Sequence, residues 1–130
     1  MHEMALVHEV VNVVLAECEG KGVHEVRRVN LAVGETRDVI DAYVPGLFRY
    51  IAKGTIAENA EVTIRRIPFT VRCTECGDIF HVDVHDPSTW ECPRCHARQK
   101  YRMFTGGEFC IESIEVVGEV PDGEETLVAV

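Results

Sequence analysis

The most informative segment of this chain reads Cys73-Thr-Glu-Cys76-Gly-Asp-Ile-Phe-His-Val-Asp-Val-His-Asp-Pro-Ser-Thr-Trp-Glu-Cys92-Pro-Arg-Cys95. It holds two Cys-x-x-Cys pairs, and the spacing between them is that of a four-cysteine zinc site. Two cysteines three residues apart in a tight turn direct both sulfurs at one ion, and a second turn completes a tetrahedron of thiolates. Gly77, directly after the first pair, relieves backbone strain in that turn. We therefore predict zinc ligands at Cys73, Cys76, Cys92 and Cys95.

Other interpretations of the two pairs are weaker than a metal site. A single Cys-x-x-Cys pair is also typical of redox proteins, but two pairs at this spacing favour zinc. Four thiols in a metal-free loop would leave residues 73–95 with almost no core, whereas zinc binding supplies on the order of 10 kcal/mol toward folding. Because four thiolates leave no open coordination position, we predict a structural rather than a catalytic ion.

The remaining cysteines and the nearby histidines receive separate interpretations. Cys18 and Cys110 lie on apolar faces of predicted elements, so we expect both to be core residues. His81, His85 and His96 lie in or beside the cysteine segment, where we expect exposed side chains or neighbours of the ligands. His96 directly follows the second pair, so it is the best placed to replace a thiolate or to respond to pH.

Hydrophobic periodicity predicts regular elements on both sides of this segment. Apolar residues recur every three or four positions from Met4 to Cys18, which indicates a helix. Pro45 suits the first turn of a second helix, which ends near Gly54. Alternating patterns predict three strands, which are His24–Gly34, Ala60–Ile67 and Phe109–Val116.

The order of these elements indicates the fold class. The cysteine segment interrupts the series before its last strand, so we predict an α+β fold with a small three-stranded sheet, two helices and an inserted metal module. The predicted organisation is a discontinuous α/β domain over residues 1–70 and 106–120, a zinc-binding domain over residues 71–105 and a loose acidic tail over residues 121–130.

Composition and charge restrict the functional class. The chain has 130 residues and a formal net charge of −9, and residues 105–130 contain acids but no base. An acidic chain is a poor candidate for nucleic-acid binding, because phosphate contacts need clustered Lys and Arg. No apolar run is long enough for a transmembrane helix and no signal-peptide pattern opens the sequence, so we expect a cytoplasmic protein with no membrane partner.

The chain begins Met1-His2-Glu3, a sequence with a specific coordination chemistry. The free amine of Met1, the amide nitrogen of His2 and its imidazole can chelate one ion in adjacent rings, and such nitrogen donors suit Ni²⁺ or Cu²⁺. The Glu3 backbone or carboxylate can complete the site. Taken alone, the three residues are more typical of a frayed and solvated terminus than of a metal site.

A series of motifs runs through the whole chain in a fixed order. Besides the N-terminal triplet, they are Val33-Gly34-Glu35, Gly54-Thr-Ile-Ala-Glu-Asn-Ala60, Ile67-Pro68, the two Cys-x-x-Cys pairs with Phe80 and Pro93, and Gly107-Glu108-Phe109 before Ile114-Glu115-Val116. In this order and spacing the sequence resembles the HypA/HybF family of hydrogenase maturation nickel metallochaperones. The resemblance covers residues 1 to about 118.

The resemblance implies a fold, two metals and several partners. It implies a nickel-binding domain built around the N-terminus and a zinc-ribbon-like domain inserted before the last strand. Met1, His2 and Glu3 would bind nickel, and the four cysteines would hold structural zinc. The implied function is delivery of Ni(II) to a [NiFe]-hydrogenase large-subunit precursor with a HypB-like GTPase, and similar proteins also serve urease maturation. The exposed last strand also allows strand exchange, so a homodimer is a further expectation.

Two other functional classes compete with nickel delivery. Arg94, Arg98, Lys100 and Arg102 follow the second pair and with Tyr101 form a basic cluster, which a zinc-ribbon module for nucleic acid or a transcription complex would use. Nearby acids and the acidic tail weaken this alternative, and we expect no nucleic-acid partner. An enzyme, such as a zinc hydrolase or thiol oxidoreductase, is disfavoured because the sequence has no recognisable open metal site, nucleophile triad or phosphate-binding glycine loop.

Overall fold

The structure, a computed structural model, describes residues 2–118 and 123–125. Within these residues the chain forms two α-helices, α1 (His2–Cys18) and α2 (Val44–Ile51). It also forms seven strands, which are β1 (Val23–Gly34), β2 (Glu61–Ile67), β3 (Thr70–Cys73), β4 (Ile79–His81), β5 (Tyr101–Thr105), β6 (Phe109–Gly118) and β7 (Gly123–Glu125). None of the described helices has the length and apolar character needed to cross a membrane.

The chain divides into two compact units. The first is formed by three stretches, of which one ends at Ala32, one covers Asp38–Arg65 and one begins at Phe109. The second combines Val33–Arg37 with Arg66–Glu108 and therefore contains both cysteine pairs. The sequence predicted one domain over residues 1–70 and 106–120 and a second over residues 71–105. That these two domains fold independently stays a prediction.

The first unit contains both helices and the sheet with strand order β2-β1-β6-β7. The predicted apolar stripe of α1 is buried, since Val7, Val10 and Val14 are at most 1% exposed. Phe48 of α2 and Ile111 of β6 are fully buried as well. Valine is a mediocre helix former, so burial of this stripe, together with the contacts between α1 and α2, stabilises the helix. The α+β fold class with two helices is confirmed.

The sheet of the first unit has one strand more than predicted. The sequence predicted a loose tail over residues 121–130, but Gly123–Glu125 is a strand that pairs antiparallel with β6, with Glu125 opposite Ile114. Strand pairing uses backbone groups, and without β7 the strand β6 would be an edge strand, which offers these groups to any neighbouring segment whatever its side chains. The rest of the predicted tail lies outside the described residues.

Glu112 of β6 is half-buried and alternates with the buried side chains of Ile111 and Ser113. Both carboxylate oxygens of Glu112 accept hydrogen bonds from the Arg65 guanidinium of β2, at 3.0 and 2.9 Å. This bidentate pair holds the pKa of Glu112 below its ordinary value. The carboxylate therefore stays ionised at neutral pH and links β2 to β6.

The two cysteines outside the pairs differ from one another. Cys18 is 4% exposed at the end of α1, so its prediction as a core residue is confirmed. Cys110 is only half-buried, so the same prediction is wrong for this residue. On β6, Phe109 and Ile111 are buried, and successive side chains of a strand point to opposite faces. Cys110 therefore lies on the opposite face from its apolar neighbours.

The second unit is built on the antiparallel sheet β4-β3-β5. Its apolar core is small, and Val71 of β3 and Val82 after β4 are its buried centre. The chain passes closely at Gly34, where a Cβ would come within 1.9 Å of the Gly106 carbonyl oxygen. The Gly34 N–H also donates to the Glu108 carbonyl oxygen at 2.6 Å. This position therefore admits only glycine.

Candidate metal centre

The two Cys-x-x-Cys pairs form turns with the same backbone hydrogen bonds. In the first turn, the Gly77 N–H donates to the Cys73 carbonyl oxygen at 2.9 Å, and the Cys73 N–H donates to Asp78 at 2.8 Å. In the second turn, His96 donates to Cys92 and Cys92 donates to Ala97, both at 2.9 Å. The two turns are therefore repeats of one local structure.

The closing residue of each turn adopts a left-handed backbone. Gly77 has φ +81°, as the sequence predicted for the residue after the first pair. His96 occupies the equivalent position with φ +64°, a conformation that costs a side-chain-bearing residue on the order of 1 kcal/mol. This role of His96 was not predicted, although its place after Cys95 matches that of Gly77 after Cys76 in the sequence.

The turns bring the four predicted ligands together. All four sulfur atoms lie within 4.8 Å of one another. Two of the separations are 3.5 Å between Cys76 and Cys92 and 3.6 Å between Cys73 and Cys95. Zinc–sulfur bonds of about 2.3 Å in a tetrahedron place sulfurs about 3.8 Å apart, so this cluster has the size of a four-thiolate zinc site.

The pKa of the Cys73 thiol is shifted in the opposite direction from those of Cys76 and Cys95. Burial opposes ionisation of Cys73, but the backbone N–H groups of Cys76 and Glu75 outweigh it and lower the pKa of Cys73 to about 7. The Asp78 N–H favours the Cys76 thiolate, but burial and the neighbouring cysteines outweigh it and raise the pKa of Cys76 to about 12. The pKa of Cys95 is also raised. Four thiolates at this distance therefore need a cation to compensate their charge.

A short loop supports the segment between the two turns. Asp86 accepts a hydrogen bond from the Ser88 N–H and caps the 3₁₀-helix Pro87–Trp90. The indole N–H of Trp90 donates to the Asp83 carbonyl oxygen at 3.0 Å. The Trp90 carbonyl oxygen in turn accepts from the Gln99 N–H at 3.1 Å. These polar contacts connect the loop to the chain that follows the second turn.

The histidines of this unit lie outside the described sulfur cluster. His81 lies 3.3 Å from the Glu35 carboxylate and His96 lies 3.0 Å from Glu91, both through ring nitrogens. His85 is exposed. The prediction of exposed or neighbouring imidazoles agrees with these positions, and the two carboxylate partners are additional features that the sequence did not indicate.

The predicted basic cluster is partly neutralised. Arg98 lies 3.8 Å from Glu91, and Lys100 lies 3.4 Å from Glu75 of the first turn. The Tyr101 ring packs edge-on against Phe80, with centroids 5.9 Å apart, and is half-buried. These contacts reduce what the cluster can offer to a nucleic acid and weaken that alternative further.

The predicted nickel ligands lie at the start of the first unit. Met1 and the side chain of His2 are outside the described residues. The α1 helix begins at His2, and Glu3 lies half-buried in its first turn. Assignment of nickel to these residues therefore stays a prediction.

Comparison with known proteins identifies the family of the chain. Residues 1–116 match the family described as "Hydrogenase/urease nickel incorporation, metallochaperone, hypA". A hydrogenase maturation factor HypA from Dehalococcoides mccartyi is 33% identical over 119 residues, which cover 92% of this chain and 97% of the relative. A hydrogenase maturation factor HybF from Escherichia coli O157:H7 is 30% identical and covers 89% of this chain and 99% of its own length.

Solved structures agree with this result at the level of the fold. The solution structure of the nickel metallochaperone HypA from Helicobacter pylori superimposes with a TM-score of 0.63 at 18% identity, over 90% of this chain and 98% of the other. A second HypA solution structure gives a TM-score of 0.69 at 20% identity, over 92% and 98%. The chain therefore belongs to the HypA family of nickel-incorporation metallochaperones, which are maturation factors rather than enzymes.

Proposed function

We propose that this chain binds Ni(II) at its N-terminus and delivers it for maturation of [NiFe]-hydrogenase, with a structural zinc ion at the four cysteines. The observation that carries the proposal is the family match, which spans residues 1–116 and so includes both predicted sets of ligands. Nickel is the cargo in this proposal, and zinc is the resident ion.

The donor set supports zinc at the four cysteines. Soft thiolates in a tetrahedral arrangement favour zinc over magnesium, calcium or manganese, which prefer oxygen ligands. The cluster supplies four sulfurs, so a bound zinc ion has no vacant position for a substrate or a water. The role that fits this ion is stabilisation of the second unit.

The start of α1 supports nickel at the N-terminus. The first N–H groups of any α-helix have no acceptor within the helix. Since α1 begins at His2, the amide nitrogen of His2 can bind nickel without breaking a helical hydrogen bond. The Met1 amine, the His2 amide and the His2 imidazole then supply nitrogen donors of the kind that nickel accepts in a square plane. The Glu3 backbone or carboxylate completes the proposed site.

The proposed recipients follow from the family description, which includes both hydrogenase and urease nickel incorporation. We infer that the principal recipient is a [NiFe]-hydrogenase large-subunit precursor and that a HypB-like GTPase takes part in the transfer. Urease maturation proteins are a second set of recipients in this proposal. The curated relatives are named as hydrogenase maturation factors, which supports the first recipient over the second.

Nickel titration by calorimetry tests the proposed N-terminal site. Four proteins are compared: the untagged chain, His2→Ala, a chain with residues added before Met1, and the control His24→Ala, whose imidazole is exposed on β1. We expect one nickel site to be lost or weakened at least about tenfold in the second and third proteins, because each loses a proposed nitrogen donor. The control should bind as the untagged chain does, and zinc should stay near one ion per chain. Unchanged nickel affinity in His2→Ala would contradict the assignment.

A further inference from the structure

The three-stranded sheet of the second unit places two arginines side by side on one face. In the antiparallel register, Arg72 of β3 lies opposite Ile79 of β4 and opposite Arg102 of β5. Directly opposite residues of an antiparallel pair project from the same face of the sheet. A bulge in β5 adds Phe104 to this face, with its ring 5.3 Å below the Arg72 guanidinium. We call these four residues the arginine face.

The two arginines of this face are charged and exposed. Neither Arg72 nor Arg102 forms an ion pair with any described residue, and both side chains are exposed. Like charges directly opposite one another in a sheet repel and destabilise the pairing. An anion bound between the two guanidinium groups would remove this repulsion.

The neighbouring groups on the same face are already engaged. Thr70, two residues from Arg72 along β3, shares a hydrogen bond with the hydroxyl of Thr105 at 2.5 Å. His81, two residues from Ile79 along β4, lies 3.3 Å from the Glu35 carboxylate. The Glu35 carboxylate beside this face therefore already has a partner in His81.

The arginine face also presents apolar surface. Ile79 is 43% exposed and Phe104 is 52% exposed, which is unusual for large apolar side chains. The Arg72 guanidinium lies over the Phe104 ring, and a guanidinium held on an aromatic ring can still donate N–H groups to a carboxylate. Charge and apolar area thus lie next to each other over three adjacent strands.

We propose that the arginine face docks an acidic segment of a partner protein, in which carboxylate side chains alternate with apolar ones. The carboxylates would bind Arg72 and Arg102, and the apolar side chains would cover Ile79 and Phe104. A nucleic acid fits less well, because two cations offer few phosphate contacts and the chain carries a net charge of −9. This surface extends the proposed function, since none of its four residues is a proposed metal ligand.

Binding of a defined probe tests this docking surface on the full chain with its zinc bound. The probe is a fluorescein-labelled peptide that repeats Gly-Asp-Leu-Glu, and its anisotropy is followed at low and at moderate salt. The test variant is R72Q/R102Q, and the matched control is R49Q/R94Q, which removes two exposed arginines outside this face. We expect the test variant to bind the peptide at least about tenfold more weakly, while the control changes it less than about twofold.

Further variants and probes distinguish specific docking of the acidic peptide from misfolding of the variant and from nucleic-acid binding. If the double variant loses zinc or its circular dichroism spectrum differs from that of the unmodified chain, the single variant R102Q is used in its place, because Arg102 lies on an edge strand. A peptide with Asn and Gln in place of the acids should not bind, and amide shifts on adding the acidic peptide should concentrate in β3, β4 and β5. No binding of the acidic peptide at low salt, an equal loss in the control variant, or tighter binding of an oligothymidine of equal length would each overturn the proposal.

Discussion

Removal of one sulfur from the four-cysteine cluster should unfold the second unit and leave the first unit folded. The substitution is Cys76→Ala, because this side chain is only half-buried and lies in a turn, so its replacement removes little packing. Cys110→Ala is the matched control, since Cys110 is also half-buried but lies in β6, outside the cluster.

The magnitude follows from the small apolar core of the second unit. Apart from the cysteines, the buried apolar side chains among its described residues are Val33, Val71 and Val82. Complete burial of a valine contributes about 1.5–3 kcal/mol, so the three together supply less than about 9 kcal/mol. A structural zinc ion contributes about 10–16 kcal/mol. Loss of the ion therefore removes more stabilisation than the whole apolar core provides.

Two measurements check this prediction. Elemental analysis should find zinc near one ion per chain in the Cys110→Ala protein and little or none in the Cys76→Ala protein. Hydrogen exchange should then show loss of protection in β3, β4 and β5 of Cys76→Ala, with protection retained in α1 and in β6. Full zinc content in Cys76→Ala would refute the ligand assignment, and simultaneous loss of protection in α1 would refute the independence of the two units.

Two further predictions concern the fold away from the cysteines. Gly34→Ala should destabilise the chain by about 3 kcal/mol or more, because its Cβ would overlap the Gly106 carbonyl oxygen. Gly46→Ala on α2 should instead stabilise the chain by up to about 1 kcal/mol, because its Cβ would meet no atom within 4 Å. Urea unfolding measures the change in the free energy of unfolding of both variants. Arg65 lowers the pKa of Glu112 from its ordinary 4.5, so the stabilisation from this pair is present above that pH and is lost as the pH falls through the lowered pKa. In R65Q the NMR-detected pKa of Glu112 should rise toward 4.5, with a stability change below about 1 kcal/mol because both side chains are exposed.

The sequence was sufficient to predict the elements whose cause is local. The apolar stripe of α1 and the alternation of β6 require only the periodicities of 3.6 and 2, and both elements form within two residues of their expected bounds. The four-cysteine cluster was also predictable, because each Cys-x-x-Cys turn is short and the ligand chemistry restricts how two such turns combine.

Features that depend on strand register or on distant partners could not be predicted. Pairing of β7 with β6 rests on backbone groups, which leave no pattern in the side chains. The contact of Lys100 with Glu75 joins residues far apart in sequence, so the basic cluster looked more accessible than it is. The position of Arg72 opposite Arg102 depends on the register of a bulged strand pair, which spacing alone does not specify.

The two proposed metal sites differ in how firmly the fold holds their ligands. Two backbone hydrogen bonds fix each cysteine turn, so a thiolate cannot leave its ion without straining that turn. The proposed nickel ligands are consecutive residues at the start of α1, where the first N–H groups have no helical acceptor, so each donor can be displaced separately. The fixed cysteine turns suit an ion that the protein retains. The separately displaceable N-terminal donors suit an ion that the protein delivers, because transfer to a recipient proceeds by successive ligand exchange. Substitution of His2 should therefore weaken nickel binding and leave the zinc content unchanged, whereas substitution of Cys76 should remove zinc. Loss of both ions in the His2 variant would show that the two sites are not separate.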